Sequence, residues 1–372
     1  MRRAMLAYQL CLQSTRGIGL RLARAIRSLI PQYDEARCLD FAQWVALGMK
    51  EGIAIELSRK LKDGSGERLA DRVEGSGVSF ALESDAEYPA LLREIAVPPA
   101  VLYYLGDLSA LRHNCVAVVG TRRATAYGRK AARDIAASLA RGGATVVSGL
   151  ARGIDADAHE GALAAGRTVA VLGSGVKRIY PVEHGGLARR MMESGGCVIS
   201  ECLPWVGPDR HHFPRRNRII SGVSKAVIIV EAGHKSGALI TANCALEQNR
   251  DVYAVPGSIY SGVSDGCNEL LQSGAAPVTS PQTVCADLGL APCRETSTEN
   301  RQTVRGSLVD ETDDPAQRTI LAELSAGALS FDELHHSGAL ASLTVGELMN
   351  ALTALELQGV AGRDRHGRYC LM

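Results

Sequence analysis

Four arginines fall within nine residues at Arg210-His-His-Phe-Pro-Arg-Arg-Asn-Arg218, with Phe213 among them. Guanidinium forks neutralise phosphates, and an aromatic ring or a guanidinium plane offers a stacking surface to an unpaired base. Phe213, Arg215, Arg216, Asn217 and Arg218 are therefore candidate nucleic-acid contacts. A solvated basic turn would carry the same residues. If Pro214 opens a helix, Arg215 and Arg218 share a face and Arg216 does not.

Glycine-bearing loops supply a second kind of chemistry. Gly120-Thr121-Arg122-Arg123 follows an apolar run and leads through Ala-Thr-Ala-Tyr-Gly128 into a helical pattern. Backbone amides and a helix N-terminus in that arrangement cradle a phosphate. The dinucleotide fingerprint needs glycine where Arg122 stands, and the next strand ends in Ser148-Gly149 rather than in an acid for the ribose. A nicotinamide cofactor is thus not expected, and Arg122 would grip a phosphate instead. Ser148-Gly-Leu-Ala-Arg-Gly-Ile-Asp-Ala-Asp-Ala-His159 and Gly173-Ser-Gly-Val-Lys-Arg-Ile-Tyr-Pro181 repeat the pattern. They add Gly149, Arg152, Gly153, Gly173, Ser174 and Lys177 to the candidates. Val230-Glu-Ala-Gly-His-Lys-Ser-Gly237 adds Lys235 and Ser236. Several such loops in a row suit a polyphosphate chain better than one small molecule. Asp155, Asp157 and His159 invite a metal reading, but only Asp155 and His159 would share a helix face, and helix capping or internal hydrogen bonding accounts for them. Glu231 lacks a partner base that would make it catalytic.

These loops need a scaffold that brings them to one edge. From Cys115 onward, apolar strand candidates at 115–119, 144–148, 168–172, 197–200, 225–230 and 251–255 alternate with helical patterns at about 126–142, 155–165, 184–195, 213–221 and 236–249. Continuous apolar strands separated by helices specify a parallel sheet covered on both faces, so the fold class is α/β with an extended Rossmann-like, doubly wound, mostly parallel sheet. Residues 1–105 read as an N-terminal helical domain of SAM-like or helix-hairpin-helix type, 106–280 as the Rossmann-like core, 281–315 as a linker and 316–372 as a winged helix with Gly367 at the wing tip.

The 372-residue chain is 46% hydrophobic and 22% charged, with a formal net charge of +1. That total excludes a polycation coating nucleic acid by charge spread everywhere. Split by segment, residues 111–280 carry 20 basic and 13 acidic residues, a net +7, while 281–315 and 316–372 are net −4 and −2. The positive charge belongs to the α/β core. No apolar stretch reaches transmembrane length, and Gln9 and Gln13 interrupt any signal-peptide core, so a cytoplasmic protein with no membrane partner is expected. Ten cysteines with no C-x-x-C pair read as reduced, mostly buried side chains rather than a zinc site.

The segments VAVVGTRRATAYG, SGLARGIDADAH, GSGVKRIYP, FPRRNRIISG, VEAGHKSGALITA and VPGSIYSGVSDGCNELLQSGA together resemble the DNA-processing protein A family (DprA, also called Smf), over about 165 residues in the family's order and spacing. The resemblance implies a non-enzymatic, single-stranded DNA-binding recombination mediator that works without cofactor or metal. It implies protection of incoming DNA during natural transformation, loading of RecA recombinase against single-strand-binding protein, and a homodimer formed through the core. Carried over by motif, Arg122 is the DNA-contacting arginine of the first loop, and Arg215, Arg216 and Arg218 line the same groove near Lys235 and Ser236. One position departs: many relatives have a basic residue where this chain has Val182, for which Lys177 or Arg178 would have to substitute. The alternative is a nucleotide-hydrolysing Rossmann enzyme of the Lonely-guy type, which places a glutamate on the helix after a P-G-G-x-G-T loop. This chain has no glutamate at that helix position.

Overall fold

The computed structural model describes residues 2–290 and, within 314–371, all but 327–328, 341–342, 358–359 and 364–367. Six helices come first: α1 (Arg2–Ser14), α2 (Leu20–Leu29), α3 (Tyr33–Cys38), α4 (Phe41–Ala46), α5 (Glu51–Lys62) and α6 (Ser65–Glu74). There follow β1 (Ser79–Leu82), α7 (Ala90–Arg93) and β2 (Val101–Gly106). The alternating region then runs β3 (Cys115–Val119), α8 (Ala126–Arg141), β4 (Thr145–Ser148), α9 (Ile154–Leu163), β5 (Thr168–Val171), α10 (Gly185–Glu193), β6 (Cys197–Ser200), α11 (His212–Gly222), β7 (Ala226–Ile229), α12 (Gly237–Glu247) and β8 (Asp251–Ala254). It closes with α13 (Asp265–Gln272), β9 (Ala276–Pro277) and α14 (Pro281–Asp287). Every strand and helix expected between 115 and 255 forms within two residues of its expected bounds.

The nine strands make one sheet in the order β1-β2-β6-β5-β4-β3-β7-β8-β9. From β6 to β9 all pairings are parallel, whereas β1–β2 and β2–β6 are antiparallel. The parallel strands β3 to β8 are short and, apart from Asp251, buried along their length, so both faces must be covered, while the two-residue edge strand β9 is not buried. Alternation assigns the faces: Ala170 and Val198 join one core with Leu6, Leu10 and Trp44 of the helical region, while Val169, Val171 and Ile199 join another with Ile219 and Ala242.

Two boundaries differ from expectation. Residues 79–106, counted with the helical domain, form two strands of the sheet, and the first six helices share a hydrophobic core with its face. The helical region and the α/β region are one compact unit spanning Met1–Cys293. At the far end, α14 buries Val284 and Cys285 against α8, so the core extends past 280 and the chain expected as linker begins later. The remainder of that linker lies largely outside the described residues. Of the cysteines, Cys11, Cys115, Cys197, Cys267 and Cys285 are buried, while Cys38 is exposed. Burial pushes the Cys115 thiol up to about 12.

The second unit, within Arg294–Met372, holds α15 (Pro315–Ala326), α16 (Phe331–His335), α17 (Val345–Leu357) and an antiparallel ribbon of β10 (Ala361–Arg363) and β11 (Tyr369–Leu371). Its own core gathers Ile320, Leu324, Leu334, Leu352 and Leu355. Three helices and a ribbon are the parts of a winged helix. Gly367 lies outside the described residues.

Candidate nucleic-acid interface

Strand order reverses at β3. The chain builds β4, β5 and β6 outward on one side, then returns to add β7 and β8 on the other. Loops leaving β3 and β7 therefore diverge, and open α/β sheets bind ligands in the crevice so formed at the strands' carboxyl ends. A cleft of about 760 Å³ occupies that place. Gly120, Thr121, Arg122 and Arg123 come to it from the loop after β3, Phe213, Arg216 and Asn217 from α11, and Ser236 from the N-cap of α12.

Inside it, three side chains cluster, the two rings tilted by 47° to each other. The Arg122 guanidinium lies 5.3 Å from the centroid of the Phe213 ring, and the Tyr180 ring is 5.7 Å from Phe213 on centroids. Gly173 lies against Phe213, where a Cβ would come within 2.7 Å of the ring. Arg122 and Arg123 are exposed and have no carboxylate within 4 Å among the described residues. A cation without a carboxylate partner beside a partly exposed aromatic ring is a combination suited to a phosphate and an unpaired base.

The loops are fixed by backbone contacts. Thr121 N–H donates to the Glu231 carbonyl at 2.7 Å, and Ile154 N–H donates to the Thr121 carbonyl at 3.2 Å. This approach of the β4–α9 loop requires Gly153: it has φ +78°, and a Cβ there would stand 2.4 Å from the Thr121 oxygen. The Glu231 carboxylate is buried and accepts from Thr125 N–H at 3.0 Å and from the Thr125 hydroxyl, which pins the start of α8. The carboxylate considered for catalysis is thus spent on positioning.

Arg216 has a different part from the one expected. It is 5% exposed, and its guanidinium donates to the carbonyls of Gly149 (2.8 Å) and Val171 and to the Asn217 side chain (3.2 Å). It ties the ends of β4 and β5 together instead of reaching outward, and Gly149 lacks a Cβ where that guanidinium lies. Burial lowers its pKa to about 10, against the pull of Asp155 and with a further push from Arg122, so it stays charged at neutral pH. Asp155, buried beside it, accepts from Gly149 N–H at 3.1 Å and Ala151 N–H at 3.4 Å. Desolvation raises the Asp155 pKa, opposed by Arg216 and by these amides. Asn217 clasps the next element, donating to the Gly237 carbonyl at 3.1 Å.

The three side chains of the metal reading part company. Asp157 pairs with Arg133 at 2.7 Å and Arg129 at 3.5 Å, Asp155 caps its loop, and His159 turns inward to Thr168 at 2.6 Å. Among the described residues no cluster of histidine, cysteine and carboxylate side chains gathers as metal ligands.

Other expected contacts are drawn elsewhere. Arg215 and Arg218 do share a face, and both reach Glu201, Arg215 at 3.5 Å. Arg218 is largely buried in that pair, while Arg215 stays half-exposed. Lys177 points away from the cleft and donates to the Ser76 carbonyl at 2.9 Å, so it does not stand in for a basic residue at Val182. Ser174 is buried, with its hydroxyl on the Arg178 carbonyl at 2.6 Å. Arg152 is exposed and paired to Glu183 at 2.6 Å. Lys235 is exposed at the turn before α12, and Ser236 caps that helix by accepting from Ala238 N–H at 3.3 Å. Sequence reasoning missed Tyr180 and Glu201, and it named Arg210 only as part of the arginine cluster. Tyr180 stands inside a segment singled out for its glycines, and Glu201 directly follows β6, where a lone acid among basic loops was the available signal.

Residues 79–289 match the family model described as DNA recombination-mediator protein A, and residues 308–364 match that of the DprA winged helix domain. The chain belongs to the DprA/Smf family. It is 34% identical to protein Smf of Synechocystis over 98% of both chains, and 42% identical to the DNA processing protein DprA of Bacillus subtilis over 57% of this chain and 72% of that one. The X-ray structure of DprA from Streptococcus pneumoniae superposes with a TM-score of 0.64 at 34% identity, covering 75% of this chain and 97% of that one. DprA from Helicobacter pylori, whose structure is described for its single-stranded DNA binding mode, gives a TM-score of 0.52 at 31% identity over 57% and 95%. Membership accounts for the parallel core, and the second family model coincides with the three-helix unit.

Proposed function

We propose that this protein is a non-enzymatic recombination mediator that holds single-stranded DNA in the cleft at the β3–β7 switch point. The observation that carries the reading is Arg122: exposed, unpaired with any carboxylate among the described residues, and placed over the Phe213 ring, which Tyr180 also meets at a tilt. Phosphates would meet Arg122, Arg123 and the amides of the Gly120 loop, and bases would meet the Phe213 and Tyr180 rings. An A- or B-form duplex cannot present its bases to such rings without unpairing. The single-stranded DNA binding printed for the Helicobacter pylori relative supports the same ligand.

Within that reading the protein acts in the cytoplasm during natural transformation. It coats incoming strands as a homodimer and hands them to RecA past single-strand-binding protein. Among the described residues no helix is long and apolar enough to cross a membrane. The test is fluorescence anisotropy with an unstructured oligonucleotide and its duplex. The single strand should bind more tightly, and Arg122→Ala should weaken it about tenfold or more while leaving thermal stability within about 0.5 kcal/mol. Equal affinity for duplex, or unchanged binding by the variant, removes the cleft from the mechanism.

A further inference from the structure

We propose that Ile259 and Tyr260, at the tip of the loop between β8 and α13, form a second base-stacking station for single-stranded DNA, continuous with the cleft at Phe213. The proposal rests on the nucleic-acid reading above and extends the path of the strand beyond the cleft.

The tip holds two adjacent large side chains in water, Ile259 at 77% and Tyr260 at 94% exposure. This is not fraying. Asn268 grips Gly257 from both sides, accepting from its N–H at 3.3 Å and donating to its carbonyl at 3.2 Å. Two turns then set the tip: Ser261 N–H donates to the Ser258 carbonyl at 3.1 Å, and Ser264 N–H donates to the Ser261 carbonyl at 2.8 Å. The Ser258 hydroxyl accepts from Tyr260 N–H at 3.2 Å. An ordered turn thus holds an isoleucine and a tyrosine side chain accessible to a ligand.

Its place in the fold points to the ligand. The Tyr127 hydroxyl, in the first turn of α8, donates to the Pro256 carbonyl at 3.2 Å, so the foot of the tip abuts the helix that follows Arg122 and Arg123. The Tyr127 ring is itself 57% exposed. On its other flank the loop packs on the turn after β7: Gly266 N–H donates to the Ala232 carbonyl at 2.8 Å, and a Cβ on Gly233 would stand 2.9 Å from the Gly262 oxygen. That turn carries Lys235 and ends in Ser236, which lines the cleft. The nearby Glu269 is taken up by His234 at 2.7 Å, leaving Lys235 and Arg123 as cations without a carboxylate partner among the described residues. The Asp265 carboxylate lies near Gly262, 3.7 Å from where a Cβ there would stand, and like charge would turn a phosphate chain away from it. Aromatic side chains interleaved with cations along one sheet edge are the makings of a single-strand track, since every base has a π-face. Serines and glycines on both sides of the tip break up the continuous apolar area that a protein partner would need.

The test uses the full-length protein and oligothymidylates of about 6 and about 20 nucleotides, short and long relative to one binding unit. Tyr260→Ala should weaken the long oligonucleotide about fivefold or more, as expected for one lost stacked base, and leave the short one and the salt dependence unchanged. Wild-type protein should bind a long oligonucleotide with abasic residues at its outer positions only as well as the variant binds the intact one. Tyr260→Trp should retain affinity, with indole fluorescence quenched on binding. No loss with Tyr260→Ala, or the same loss at both lengths, overturns the proposal. So does an altered sedimentation coefficient with unchanged DNA affinity, which would assign the tip to protein docking. If the cleft reading itself is wrong, wild-type protein fails on the short oligonucleotide and Arg122→Ala changes nothing, a pattern distinct from failure of the tip alone.

Discussion

One helical turn sends three arginines of identical chemistry to three fates. On α11, Arg215 remains half-exposed, Arg218 sinks into its pair with Glu201, and Arg216 turns into the sheet. Helical periodicity alone separates Arg216 from the other two, and that much was legible. What it meets was not, because the carbonyls of Gly149 and Val171 lie 67 and 45 positions away in the chain. Beside it, His159 shows how such burial reads out in pH. Thr168 Oγ1 donates to the Val146 carbonyl at 2.8 Å, so His159 Nδ1 must be the donor toward Thr168. Its Nε2 has no partner among the described residues. Burial, with His184 and Arg216 adding like charge, lowers the His159 pKa from 6.5 to about 3. The unfolded chain takes up this proton below its ordinary value while the fold refuses it until about 3. The contribution is therefore fully present above pH 6.5 and is lost progressively as pH falls toward 3. Urea denaturation from pH 7 to 4.5 should show a loss approaching about 1.4 kcal/mol per pH unit from this group. His159→Gln should flatten that part of the profile, and an unchanged slope in the variant would exclude His159 as its source.

Elements were legible where their signal is local. Four- and five-residue apolar strands alternating with amphipathic helices fixed β3 through β8, because each carries its own periodicity. β2 carries it too, in Val-Leu-Tyr-Tyr-Leu-Gly, but it pairs antiparallel with β6, as in Tyr103 against Ser200, almost a hundred positions on. No local pattern reports a partner so distant. Lys177 failed for the same reason, since the Ser76 carbonyl that captures it is 101 positions away. The glycine loops were legible as loops, although their mutual packing was not. Gly153 is where that packing is tested: φ +78° and ψ −130° exclude a Cβ, and the Thr121 carbonyl fills the space. Gly153→Ala should cost about 2–4 kcal/mol, combining backbone strain with the displaced loop. It should also weaken single-strand binding in the folded fraction, because Thr121 and Arg122 move with that contact. A variant as stable as the parent in chemical denaturation would mean the two loops are not coupled as described.

At the scale of the whole molecule, a net charge of +1 conceals a core of +7, and ion pairing narrows the positive site further. Arg129 and Arg133 are held by Asp157, Arg152 by Glu183, Arg190 by Glu160, Arg218 by Glu201 and Arg250 by Glu94. Among the described residues, the exposed cations lining the cleft without a carboxylate within 4 Å are Arg122, Arg123 and Arg210, with Lys235 likewise unpaired at its edge and Arg216 buried on backbone carbonyls. A count of arginines in the core thus overstates how many counterions DNA would release. With three or four phosphates neutralised, and about 0.7 ion released per single-strand phosphate, log K against log salt should fall with a slope of about −2 to −3. Arg122→Ala and Lys235→Ala should each make that slope shallower by about 0.7. Arg152→Ala, which removes a cation already paired to Glu183 outside the cleft, should leave it alone. Titrations across a salt series separate these cases. A slope far steeper than −3 would require phosphates to reach the paired arginines, so that DNA binding breaks the Glu183 and Glu201 pairs, whereas a slope near zero would leave the cleft without its phosphate chain.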